Sequence, residues 1–302
     1  MAIQNTLNLN QRLIILIAYW LSYKRWKIGV LHLGKIGVMH KCHLNRLLIV
    51  IFSCYSLFIN AQSKVGDENL SNVEVKYLYK YVSDTLNSNN RNEELMILLL
   101  NPKTSIYVSE KYILAKNIIK NKLSNIGSSP VEINGNDIPR YKIKYSVYAN
   151  DGKSYVTSLI GRDNFTFEGT PLQWNTNYTE NKVILNYKCY KATTKFNNRT
   201  YIAWYTKDIP FSEGPYRFKG LPGLILAISD ANGYDSFTAI GIEKKSSPIM
   251  QLSKGINVTR EQYLNKKEEF KNNPYPQDKG LTQERRNQMI EMSKKSNNSL
   301  ER

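Results

Sequence analysis

Residues 73–81 alternate strictly: Val73, Val75, Tyr77, Tyr79 and Tyr81 fall on one parity, and Glu74, Lys76, Leu78 and Lys80 on the other. A period of two over nine residues predicts a β-strand with one apolar face. Residues 95–100 form a short apolar run, Asn101-Pro102-Lys103-Thr104 suits a type I turn, and residues 106–108 return as the second arm of a hairpin. The period then changes. Ile113, Leu114, Ile118, Ile119 and Leu123 are spaced for one face of a helix over 111–123.

Alternation resumes at Tyr141, Ile143, Tyr145 and Val147. Asp151-Gly152 links it to a second run, 155–160, as a hairpin turn. Short strands are predicted at 165–167 and 172–174. A longer one is predicted at 183–192, with Val183, Leu185, Tyr187 and Cys189 on one face. Residues 201–206 are apolar on both faces, as in a central strand, and 224–229 and 236–242 flank Asn232-Gly233. Many short strands at close spacing with one early helix predict a mainly β (α+β) fold: a curved antiparallel meander or half-barrel.

After Lys245 the pattern turns polar. Thr259 and Gln262 have capping-box spacing and open a charged helix to about Lys271. Asn273-Pro274-Tyr275-Pro276 ends it, residues 281–294 suit a second helix, and 297–302 are expected to be disordered.

The N-terminal residues have a different logic. Residues 39–63 carry Lys41 and Arg46, then an uncharged apolar run over 47–59, then Ala61 before a polar stretch. This is the layout of a secretory signal peptide, too short to span a bilayer, with cleavage expected after Ala61. A lipoprotein reading through Cys54 is the alternative; it is weakened by bulky Phe52 and by the apolar run continuing past the cysteine. Residues 1–38 are expected to be a mis-assigned extension, with Met39 the start. The expected organisation is therefore 1–38 extension, 39–61 signal, 62–245 β-rich domain, and 246–302 charged, helical and partly disordered.

Removing 1–61 changes the chemistry available. All three histidines and two of the three cysteines lie there, so 62–302 has no histidine and a single cysteine, Cys189. That excludes Ser-His-Asp and Cys-His nucleophilic machinery, Cys/His zinc sites and an intrachain disulfide. Seven basic and no acidic residues fall in 1–61, so the remainder carries +10 instead of +17. The basic residues are dispersed, unlike those of a nucleic-acid face, and an exported chain is not expected to meet nucleic acid.

The densest run of turn formers and aromatics is residues 204–230, with three prolines and three glycines. Together with Tyr187-Lys188-Cys189-Tyr190-Lys191-Ala192, Ala203-Trp204-Tyr205-Thr206, Ile209-Pro210, Gly214-Pro215 and the run from Gly220 to Ile225, it resembles the GLPGLI family. That resemblance implies an exported protein of Bacteroidetes-type bacteria and carries no activity with it.

Within the motif, Leu221-Pro222-Gly223-Leu224 predicts a type II turn feeding a buried strand, and Gly220 a close backbone approach. The competing reading makes these residues the rim of a ligand cavity. Arg217 is expected to be solvated between two packed rings; its alternative is to meet an anionic group. Trp204 is expected in the core, with a ligand platform as the alternative. The candidate ligand-binding or motif residues are thus Trp204, Pro215, Arg217, Gly220, Leu221, Pro222 and Gly223. Cys189 reads as a buried small hydrophobe. Asp230 and Asp235 flank the Asn-Gly turn and are expected to serve it.

No catalytic residue, metal or cofactor is expected. The expected function is a non-enzymatic envelope protein, in the periplasm, outer membrane or medium, binding a hydrophobic ligand or lipid. A docking accessory of an outer-membrane or surface complex is the first alternative, and a carboxylate-dependent hydrolase the second.

Overall fold

A computed structural model describes residues 69–124, 134–251 and 255–302; the expected extension, signal peptide and cleavage site lie outside the described residues. Alternation builds most of the fold. The strands are β1 (Val73–Val82), β2 (Arg91–Leu100), β3 (Thr104–Ser109), β4 (Tyr145–Asn150), β5 (Lys153–Ile160), β6 (Asp163–Gly169), β7 (Asn181–Ile184), β8 (Tyr187–Phe196), β9 (Arg199–Thr206), β10 (Leu224–Asp230), β11 (Asp235–Lys244) and β12 (Ile256–Asn257). The helices are α1 (Glu110–Ser124), α2 (Arg260–Asn272) and α3 (Gln283–Lys294).

Among the described residues the twelve strands form one open sheet in the order β12-β6-β5-β4-β3-β2-β1-β11-β10-β9-β8-β7. Two meanders, β1–β6 and β7–β11, are thus joined where β1 pairs antiparallel with β11, with a bulge between Lys76 and Tyr77. The short β12 adds parallel to β6. The fold is mainly β and antiparallel, a curved meander, as the pattern predicts. No helix of the described residues is long and apolar enough to cross a membrane.

Each strand parity feeds a different core. On the outer face Ile97, Leu99, Ile106 and Val108 pack against Tyr112 and Ile113 of α1. Helix α1 lies close to its expected span, but Ala115 is its one buried residue, and Leu114 and Leu123 are exposed. The inner face is larger and aromatic: Tyr77, Tyr79, Phe167, Tyr201 and Phe237 are buried there. Phe218 and Leu221 from the loop after β9, Tyr263 from α2 and Leu300 close over it.

Four expectations change. The strand expected over 183–192 is broken by a turn in which Leu185 (φ 50°) and Asn186 (φ 66°) are both left-handed, so it becomes the hairpin β7–β8. No Gly marks that turn, and Asn186 is its single favourable residue. Residues 172–174 form no strand; they run extended to an isolated bridge between Asn175 and Thr193. The strand expected from Tyr141 begins only at Tyr145, because the Lys142 and Ile143 N–H groups donate to the buried Glu94 carboxylate at 2.8 and 3.2 Å. Residues 297–302 are not disordered: Asn298, Leu300 and Glu301 are buried on the inner face.

The region after Lys245 otherwise follows its local signals. Thr259 and Gln262 exchange both bonds of the capping box that opens α2, and α3 starts at the Thr282 cap.

The Leu221-Pro222-Gly223 turn does feed a buried strand, but it is not type II. The Gly223 N–H donates to the Leu221 carbonyl at 2.8 Å, a three-residue turn centred on Pro222. Gly223 has φ +145°, and a Cβ there would lie 2.0 Å from the Thr206 carbonyl oxygen. The backbone of the loop therefore touches the end of β9 at a point where only glycine fits. Gly223→Ala is expected to destabilise the fold by about 3 kcal/mol or more, through strain plus forced separation of β9 and β10. Urea unfolding checks this; a loss below about 1 kcal/mol would contradict the close approach.

Candidate functional site

The loop between β9 and β10 carries Arg217 to the inner face. Short-range bonds tie it down: Phe211 N–H to Ile209 carbonyl (2.8 Å), Glu213 N–H to Phe211 carbonyl (2.7 Å) and Phe218 N–H to Pro215 carbonyl (3.1 Å). Tyr216 takes a left-handed φ of 55°, uncommon for a bulky residue, and this turns its ring and Arg217 inward. Arg217 is 3% exposed. It is not solvated between rings as its neighbours in sequence suggest, although its guanidinium does lie 5.2 Å from the Phe196 centroid.

Its counter-charge comes from residues 297–302. Arg217 Nη1 donates to Glu301 Oε1 at 2.6 Å, and Arg217 Nη2 donates to the Thr170 carbonyl and hydroxyl at 3.2 and 3.3 Å. Glu301 Oε1 also accepts from the Tyr216 hydroxyl at 2.7 Å, and Oε2 from Arg260 Nε at 2.8 Å. Lys267 Nζ donates to the Glu301 carbonyl (2.8 Å) and the Ser299 hydroxyl (2.5 Å). The guanidinium is backed by Gly169, where a Cβ would lie 2.7 Å from Arg217 Nε.

One carboxylate is therefore held by two arginines and a tyrosine, with a lysine beside it. Burial alone would raise the Glu301 pKa, but Arg217 and the bonds from Arg217, Tyr216 and Arg260 outweigh it and hold the group below its usual range. Burial pushes Lys267 down to about 8 against the pull of Glu301.

A second ionic group lies at Asp235, fully buried on β11. Its carboxylate accepts from the Tyr79 hydroxyl (2.7 Å), Arg199 Nη1 (3.1 Å) and Asn298 Nδ2 (3.4 Å). Burial pushes its pKa up to about 6, with neighbouring Asp230 adding to the rise and Tyr79 and Arg199 opposing it. Asp230 serves the turn: its carboxylate accepts from the Asp235 and Asn232 N–H groups at 2.7 and 3.2 Å.

Next to Glu301 the inner face opens into a cleft of about 460 Å³. Tyr145, Val156, Ile160, Tyr263, Phe270 and Leu300 are its apolar walls, and Lys144, Lys267 and Lys271 also line it. Beyond Ile160 and Phe270 a second cavity, of about 690 Å³, lies between the β5–β6 turn and residues 273–279.

Of the residues expected at a site, Arg217 alone meets the ionic cluster; Pro215 is buried beside it in the loop. Trp204 is half-buried on the parity opposite Tyr201, Ala203 and Tyr205, with Lys182 Nζ 4.4 Å from its ring. Leu221 is core, Gly220 and Pro222 are exposed, and Gly223 lies buried against β9. Cys189 is buried, and burial pushes its thiol up to about 11, unsuited to nucleophilic work. The residues not anticipated are Tyr145, Tyr216, Arg260, Tyr263, Lys267 and Glu301. Leu300-Glu301 is the one apolar–acidic pair in an otherwise polar segment and is the available signal. Among the described residues no group of three or more His, Cys, Asp or Glu could hold a metal ion.

Residues 195–227 match the family model described as a protein of unknown function, Porph_ging. The match runs from the end of β8 through the Arg217 loop into β10. No curated protein matches the chain. Among solved structures, PNGF-II is similar in two crystal forms. One is 19% identical with TM-score 0.46, covering 65% of this chain and 33% of that one. The other is 17% identical with TM-score 0.45, covering 64% and 32%. The chain thus spans about a third of the length of PNGF-II. An uncharacterized conserved protein from Thermus thermophilus is 6% identical with TM-score 0.29, covering 66% of this chain and 99% of that one.

The Asp235 shift has a definite sign. The unfolded carboxyl titrates near 3.8 and the folded one near 6, so the folded state binds the extra proton between them. The stabilising contribution is fully present below about pH 4 and is lost as pH rises through about 6. Relative to Asp235→Asn, the unaltered chain should lose about 3 kcal/mol of stability between about pH 3.5 and 7. Paired urea titrations across that range check it; a constant difference between the two chains would contradict it.

Proposed function

We propose that this chain is an exported protein of the GLPGLI type that binds a hydrophobic ligand or lipid without chemical turnover. One observation carries the reading: the cleft of about 460 Å³ between the inner face, α2 and residues 299–301. Its size is that of a small-molecule site, and its walls are mostly aromatic and aliphatic. The lining Lys144 and Lys271 suit an amphipathic ligand with an anionic end, because the apolar part can pack on the walls while the charge meets an ammonium. The chemistry of 62–302 points the same way. Glu301 beside the cleft is bound up in ion pairs with Arg217 and Arg260, and Cys189 is a buried thiol of raised pKa.

A second reading, a docking accessory, draws on different features. Helix α3 buries no residue and leaves Met292 67% exposed, and edge strand β7 leaves Val183 70% exposed. We favour the cleft, since ten of its nineteen lining residues are aromatic or aliphatic.

Native mass spectrometry of the chain extracted mildly from its own envelope tests the proposal, alongside a fluorescent apolar probe. A lipid-sized added mass is expected, and Phe270→Asp should weaken probe binding at least about tenfold by placing a charge in the wall. A bare chain that binds the probe equally with and without the substitution would overturn the reading.

A further inference from the structure

We infer that residues 297–302 are a displaceable self-ligand, filling a groove that recognises an extended peptide with an aliphatic residue followed by an acidic one. This goes beyond the apolar-ligand reading and does not need it.

The contacts are those of a peptide in a recognition site. The main chain is read at four positions. The Asn298 N–H donates to the Ser83 carbonyl (3.1 Å), and the carbonyls of Leu300, Glu301 and Arg302 accept from Asn197 Nδ2 (2.5 Å), Lys267 Nζ (2.8 Å) and Arg260 Nη2 (2.9 Å). Side chains then fill separate subsites. Asn298 Nδ2 donates to the Val82 carbonyl at 2.7 Å, Leu300 packs into the inner-face core beside the cleft, and Glu301 enters the cage of Arg217, Tyr216 and Arg260. Main-chain bonds that any peptide can make, plus pockets that select side chains, divide affinity from specificity.

Two further observations mark the segment as an occupant and not as core. First, the groove has more polar capacity than the segment uses. Arg217 Nε and the Tyr145 hydroxyl are buried without a hydrogen-bond partner; Arg217 is 3% exposed and holds Glu301, and Tyr145 lines the cleft. Such groups are costly to leave unmet, and a ligand with additional acceptors would satisfy them. Second, the tether is held by polar contacts, Arg286 to the Pro274 and Tyr275 carbonyls and Ser293 to the Lys271 carbonyl, and not by burial. Helix α3, which leads into the segment, buries none of its residues. Release would uncover Arg217, Arg260 and Lys267 together, a concentrated positive site that favours a carboxylate over a neutral side chain by the strength of charge-assisted hydrogen bonds.

The test keeps the full chain folded before anything is cut. A site for a sequence-specific protease is inserted after Lys295, the folded chain is nicked, and a labelled Asn-Asn-Ser-Leu-Glu-Arg peptide is added. We expect the labelled peptide to exchange into the nicked chain, with near-UV circular dichroism unchanged, and to be excluded from the uncut chain. The same peptide with Gln for Glu should bind at least about tenfold more weakly. In the uncut chain, Glu301→Gln should loosen the self-ligand and admit the labelled peptide. Failure of the peptide to enter the nicked chain would overturn the inference. So would equal binding of the Glu and Gln peptides, or loss of native circular dichroism on release, which would make the segment a structural part of the core. The apolar-probe measurement on the uncut chain reads the cleft separately, so the two proposals fail independently.

Discussion

The inner face is organised around one buried ion pair. Arg217 and Glu301 meet at 2.6 Å with side chains 2% and 5% exposed. A buried guanidinium over the Phe196 ring is costly to desolvate, and only a charged partner with further hydrogen bonds compensates. Each part of that compensation comes from a different piece of chain: the β9–β10 loop supplies Arg217 and Tyr216, α2 supplies Arg260 and Lys267, and residues 299–301 supply the carboxylate. A contact between segments 84 residues apart thus links the β9–β10 loop to residues 299–301 beside α2, which packs on β5 and β6.

The pair also sets the electrostatics of the cleft. Glu301 is ringed by more positive than negative charge, so the site is cationic whether or not Glu301 is in place. Asp235 takes the complementary position at the other end of the segment, where Asn298 bridges it to the edge of β1. Its raised pKa reflects burial that Tyr79 and Arg199 compensate only in part, whereas Glu301, with two arginines, is compensated in full. Two buried carboxylates on one face thus shift in opposite directions: burial, with the Asp230 charge, prevails at Asp235, whereas Arg217 and the bonds from Arg217, Tyr216 and Arg260 outweigh burial at Glu301.

What is legible in the sequence is what depends on near neighbours. The alternation of 73–81 becomes β1, Asp151-Gly152 and Asn232-Gly233 become hairpin turns, and Thr259 with Gln262 becomes a capping box. The departures share a physical origin. Leu185-Asn186 and Asn197-Asn198 turn with left-handed residues and no glycine, so an apolar alternation runs unbroken through the first of them. Pro222-Gly223 makes a three-residue turn in place of type II because Gly223 must press against the Thr206 carbonyl, a partner no local pattern announces. Arg217 reads as solvated, and 297–302 reads as disordered, for one reason: each is explained only by the other. A polar segment with one Leu-Glu pair lacks the hydrophobicity to predict burial, yet its burial rests on charge pairing and not on area.

The most direct measurement is a double-mutant cycle on the pair, read as unfolding free energy. The account predicts that Arg217→Met and Glu301→Gln each cost about 3–5 kcal/mol, since either leaves its partner uncompensated, and that the double variant costs much less than their sum. Two small costs that simply add would contradict it. The pair would then be incidental to the fold, and the cleft and groove beside it would have some other support.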